Sequence, residues 1–154
     1  MKKMTKLAVL CSVLASASLV SGEASAGTLY RAPLSSNYLG INYWFDRNTG
    51  AGFLRYDGKT QANGVGYDTH TGIDFNMPSG GVWAGAHGTV VQVVRDCYDK
   101  GHTLYLSSCG YRYGNNVKLQ HADGKYTAYA HMKAGSVRVA MNDYVLCSRL
   151  LGDV

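Results

Sequence analysis

The sequence predicts an antiparallel all-β domain. Short β-branched or aromatic runs recur through its second half, separated by Gly, Asp and Asn turn residues. Glycine is abundant, at 19 of 154 residues, while Pro33 and Pro78 are the only prolines. After the first 26 residues no long stretch repeats its apolar positions at the helical period.

The elements follow in chain order. Met1 to Lys6 is basic, Leu7 to Val20 is apolar with small residues, and Ala24-Ser-Ala26 suits a signal peptidase. Residues 1–26 are therefore expected to be a leader, giving a mature chain from Gly27 in a secreted or periplasmic location. The apolar run falls short of the roughly 20 residues a membrane span needs, and no second run occurs. Cys11 lies inside the leader and has no lipoprotein arrangement around it. Residues 27–66 are rich in Gly, Asn and Tyr without clear periodicity. They are expected to form a lead-in segment, with Arg31, Asn37, Tyr43 and Trp44 unassigned. Strands are expected at Thr89–Val94, Asn116–Gln120, Lys125–Tyr129 and Ser136–Val139, and Ala122-Asp-Gly124 signals a tight hairpin between the second and third.

Charge narrows the partners. The chain has 15 Lys+Arg against 10 Asp+Glu; Lys2, Lys3, Lys6 and Glu23 fall in the leader, which leaves a net charge of +3. That excess favours an anionic polymer such as a cell wall and is too small to argue for nucleic acid. No basic run interleaved with aromatics is present. The length after the leader supports one domain with its own core.

Cys97 and Cys109 bracket a loop between two expected strands, and in an oxidising compartment a disulfide across it is expected. No Cys-x-x-Cys spacing supports a metal role for them. Cys147 is left over, either as a buried small apolar residue or as the partner of a cysteine beyond Val154.

The chemistry concentrates at His70-Thr-Gly-Ile-Asp74. A neutral imidazole and a carboxylate four residues apart can reach one divalent ion, with Gly72 expected to let the backbone curl so that they converge. Both are good zinc ligands, and a catalytic zinc usually takes three protein ligands and a water. The alternative is a surface His and Asp flanking a turn.

Tyr67-Asp-Thr-His70-Thr-Gly-Ile-Asp74-Phe-Asn-Met-Pro78-Ser-Gly-Gly81 resembles the first metal motif of the lysostaphin-type zinc metalloendopeptidases, which cut peptide cross-links in bacterial cell walls. Val82-Trp-Ala84 and Gly88-Thr-Val-Val91 resemble the family's next strand. Asn116 to His121, followed by Gly124 to His131, resembles its central hairpin, which ends in a Tyr-x-His element. Asn142 to Gly152 resembles the strand and turn that come after. The likeness covers residues 67–154 in the family's order. It implies a β-sheet groove with a zinc at its floor; the lead-in is expected to pack beside that groove. His70 and Asp74 would be ligands, and His131 would stabilise charge on the reacting carbonyl. The implied partner is a peptidoglycan peptide, taken by a chain expected to be monomeric.

One family element is missing. A His-x-His pair normally follows the Leu-Gly turn, its second histidine binding metal and its first assisting catalysis. The histidines here are His70, His87, His102, His121 and His131, and no two are two residues apart. The chain stops at Leu151-Gly-Asp-Val154, where that segment should begin. An incomplete enzyme lacking the third ligand and the final strand is expected, with a catalytically inactive wall-binding or amidase-regulating domain as the alternative. A third reading, a sugar-binding β-domain using exposed Tyr and Trp, is weaker. His87, His102 and His121 are expected at the surface, with a place on a substrate rim as the alternative for His102. Tyr129, two residues before His131, is expected on its face of the strand, with a place in the core as the alternative.

Overall fold

The computed structural model describes residues 31–34, 39–48, 50–55, 57–60, 66, 68–99 and 108–154. The expected leader, Asn37 and His102 lie outside the described residues. Eight strands follow in order: β1 (Gly40–Tyr43), β2 (Asp74–Asn76), β3 (Gly81–Trp83), β4 (Gly88–Val94), β5 (Asn115–Gln120), β6 (Tyr126–Met132), β7 (Tyr144–Val145) and β8 (Leu150–Asp153). A single 3-10 turn, Cys109–Arg112, is the only helical piece among the described residues. The expected all-β antiparallel class is what the chain adopts.

Alternation decides the central sheet, which is antiparallel with strand order β6-β5-β4-β7. On β5, Val117 and Leu119 point inward and are fully buried, while Lys118 and Gln120 face outward. On that outer face the Lys118 ammonium lies 4.7 Å from the Tyr126 ring centroid, and Gln120 Nε2 donates to Tyr126 Oη at 3.0 Å. The β5–β6 hairpin turns at the expected residues. Gly124 takes φ +78°, which a glycine adopts without strain, and its N–H donates to the His121 carbonyl at 3.0 Å.

A second pair, β3 with β8, brings Val82 and Leu151 onto the inner face of this sheet. Val90, Val117, Leu119, Tyr129, Met132, Val139, Val145 and Leu151 form one core. Burying a side chain the size of Leu119 or Leu151 contributes about 1.5–3 kcal/mol. Two differences from the expectation stand out. Residues 136–139 form no strand; Val139 is in the core, but the segment's one backbone–backbone bond to β8 is Arg138 N–H to the Leu151 carbonyl at 2.8 Å. The lead-in, by contrast, contributes a strand, β1, which pairs antiparallel with β2.

The excursion after β4 is tied twice. Cys97 and Cys109 form the expected disulfide, with Cα atoms 5.8 Å apart. Buried Asn115 holds the same point: its Oδ1 accepts from Cys97 N–H at 2.9 Å, and its Nδ2 donates to the Cys97 and Met132 carbonyls at 2.9 and 3.1 Å. Peptide mapping without reductant is expected to recover Cys97 linked to Cys109. Recovery of either cysteine linked to Cys147 would contradict that pairing. Closing a loop of this length stabilises the fold by about 3 kcal/mol in the chain-entropy account. Cys147 is a half-buried thiol, its Sγ 3.6 Å from the Gly85 carbonyl. Among the described residues no helix is long and apolar enough to cross a membrane.

Candidate metal centre

The β1–β2 ribbon carries the motif. Ile41 faces Phe75 and Tyr43 faces Asp74, with the register shifting between Ile41 and Tyr43. Asp74 begins β2, and His70 lies in the turn that leads to it. His70 is buried, with its ring edge-on to Tyr43 at 6.3 Å between centroids, whereas the Asp74 side chain is about half exposed.

His70 Nε2 and Asp74 Oδ1 lie 3.4 Å apart. Two ligands at zinc-to-nitrogen and zinc-to-oxygen distances of about 2.0–2.1 Å, set at tetrahedral angles, lie about 3.3 Å from one another. The donor chemistry and the spacing of this pair therefore fit two corners of one zinc tetrahedron. The backbone bends at Gly72, between His70 and Asp74. Its φ lies outside the left-handed region, and a Cβ placed on it would meet nothing within 4 Å. Just before the pair, Thr69, a β-branched residue, is held at φ +66°. Beside the pair, Trp44, Phe45, Arg47, Gly72 and Ile73 line an open, mainly apolar cleft of about 490 Å³. The Arg55 guanidinium covers Trp44, 4.8 Å from its ring centroid.

Asp46 organises this corner, and sequence reasoning missed it. Its carboxylate accepts backbone N–H groups of Leu54, Asn48 and Thr69 at 3.0, 2.9 and 2.8 Å. These bonds, those from Leu54 and Asn48 foremost, hold its pKa below the usual carboxylate range, against the opposing effect of burial. The Asp-Arg-Asn composition at 46–48 does signal a local turn, and the bond to the Asn48 N–H two residues on is that turn. The bond to Thr69, far along the chain, has no local signature. A depressed folded pKa places this carboxylate's stabilising contribution above the unfolded value, and it is lost as the pH falls through the folded one. A ¹³C NMR titration of the Asp46 carboxyl is expected to give a midpoint below the ordinary aspartate value; an ordinary or raised midpoint would contradict these bonds.

The other described histidines sit elsewhere. Among the described residues no group of three or more His, Cys, Asp or Glu could hold a metal ion, so nothing described joins His70 and Asp74 as a third ligand. His131 is exposed near the end of β6 at φ +56°, its N–H donating to the Tyr113 carbonyl at 2.9 Å. Its ring lies over Gly114, where an added Cβ would come within 3.7 Å of Nδ1. The register of β5 on β6 shifts between the pairs Asn115–Met132 and Val117–Tyr129, leaving Ala130 and His131 opposite the single residue Asn116. That bulge breaks the alternation. Tyr129 points into the core and His131 points out.

His121 is not at the surface. It is 3% exposed; its Nδ1 donates to the His87 carbonyl at 2.6 Å, and its Nε2 lies 2.9 Å from Thr127 Oγ1. Thr127 Oγ1 is 3.1 Å from Tyr129 Oη, which also accepts the Gly85 N–H at 2.8 Å. His87 is half-buried, and its Nδ1 accepts the Cys147 N–H at 3.1 Å. These two histidines serve the interior, where buried polar groups require partners.

Two comparisons bear on this arrangement. The sequence profile of peptidase family M23 matches residues 68–154. No curated protein matches the chain.

Proposed function

The chain belongs to peptidase family M23, whose members are typically zinc metallopeptidases, and on that premise we propose that it hydrolyses peptide cross-links of bacterial peptidoglycan outside the cytoplasm. The 3.4 Å approach of His70 Nε2 to Asp74 Oδ1, inside the matched segment, carries the reading. These two side chains would hold zinc as two of its ligands. When bound, zinc supplies Lewis-acid polarisation of a carbonyl and acidifies a water. The chain's own residues do the rest. Asp74, at the start of β2, offers its half-exposed carboxylate toward solvent, while buried His70 is held by the backbone around it. Exposed His131 is assigned the donor that stabilises developing charge on the scissile carbonyl oxygen.

A second reading, a wall-binding or amidase-regulating domain without catalysis, draws on one specific observation. No third His, Cys, Asp or Glu stands with His70 and Asp74 among the described residues, and the 154 residues contain no His-x-His. Zinc content after dialysis, together with release of amino groups from purified peptidoglycan, separates the two. The 154 residues alone are expected to retain less than one zinc per chain. Joined to a segment that supplies a His-x-His pair, they are expected to hold one zinc and release amino groups. Zinc retained without hydrolysis would favour the second reading. Stoichiometric zinc on the 154 residues alone would place a third ligand among them.

A further inference from the structure

The backbone at His70 is gripped on both sides by one residue. Asp46 donates its N–H to the His70 carbonyl at 2.8 Å, and its Oδ2 accepts the Thr69 N–H at 2.8 Å. Its other oxygen, Oδ1, accepts from Asn48 and Leu54 at 2.9 and 3.0 Å, so the carboxylate is fastened to its own loop. Asp46 is itself only 6% exposed.

We propose that Asp46 is a positioning residue for the metal centre, fixing the backbone of Thr69 and His70 so that the imidazole meets Asp74 before any metal arrives. The inference rests on the reading of His70 and Asp74 as ligands. Its physical basis is the pair of anchors, the Thr69 N–H and the His70 C=O, which bracket the rotatable bonds that aim the ring. A threonine at φ +66° persists only where its surroundings over-determine it, and the Asp46 carboxylate supplies that constraint. Without it, Thr69 relaxes toward an ordinary conformation and His70 turns with it. Ordering would then have to be supplied during metal binding, which weakens the site. Partners that orient a ligand typically change metal affinity 10- to 100-fold when removed.

The main hydrophobic cluster draws on no described residue from 39 to 54. Asp46→Ala is therefore expected to keep the amide spectrum of β4 and β5 unchanged.

The test is NMR of the histidine rings in the full chain, first without metal and then titrated with Zn²⁺. In the metal-free chain the cross-peak between the His70 and Tyr43 rings is expected in the parent and lost in Asp46→Ala. On titration, the apparent zinc dissociation constant reported by the His70 ring is expected to rise at least 10-fold. Asp46→Asn, which keeps one carbonyl-type acceptor, is expected to restore part of both. It also decides the matter if the alanine variant does not fold. A folded variant with the parent's ring contact and zinc affinity would overturn the proposal. If zinc leaves the parent's His70 ring unperturbed, the ligand assignment fails, and the metal-free cross-peak still decides whether Asp46 positions His70.

Discussion

His70→Ala and Asp74→Ala are each expected to abolish zinc retention and peptidoglycan hydrolysis in a chain that carries the third ligand, while His131→Ala keeps the zinc. Each of the first two removes one of the two donors that lie 3.4 Å apart, and a metal left with two protein ligands is lost on dialysis. His131 sits apart from that pair, exposed on the bulge of β6, and no described group of three includes it. Its contribution would be to charge that develops during attack, so its removal is expected to cut turnover by roughly 10²–10³-fold with metal still bound. Metal content and release of amino groups, measured on each variant, decide this. If His131→Ala sheds zinc as readily as His70→Ala, His131 is a ligand and its assigned role is wrong.

Asn115→Ala is expected to destabilise the fold by about 3–5 kcal/mol, because it strips several buried backbone groups of their partners at once. Asn115 is 2% exposed and makes three hydrogen bonds, to the N–H and C=O of Cys97 and to the Met132 carbonyl. It joins the disulfide-bearing excursion to the end of β6, next to His131. Alanine fills none of those roles and leaves the groups where water cannot replace the lost amide. For a chain of this size the midpoint of thermal unfolding is expected to fall by roughly 10 °C. Urea denaturation of parent and variant measures the same quantity. A loss under about 1 kcal/mol would mean that these groups find other partners and that the amide is not the tie described.

The sequence determined the class of fold and the segment that matches the family. Alternation in β5, the Ala122-Asp-Gly124 turn and the spacing of Cys97 and Cys109 are local signals, and local signals survive translation into structure because side-chain period, turn geometry and loop length act over a few residues. The His70–Asp74 spacing belongs with them. The tertiary structure decided what depends on distant parts of the chain meeting. Tyr43 opposite Asp74, Asp46 on Thr69, and His121 between His87 and Thr127 each join residues that no short window contains. His121 shows the difference most plainly. At the end of a strand before a turn it resembles a surface residue, yet the arrival of the His87 carbonyl and Thr127 supplies partners for both ring nitrogens, and burial follows. The bulge at Ala130 and His131 works in the opposite direction, turning a residue that alternation would place beside Tyr129 out to the surface. A one-residue shift in pairing inverts the face of every side chain beyond it, and only the paired strand can impose that shift.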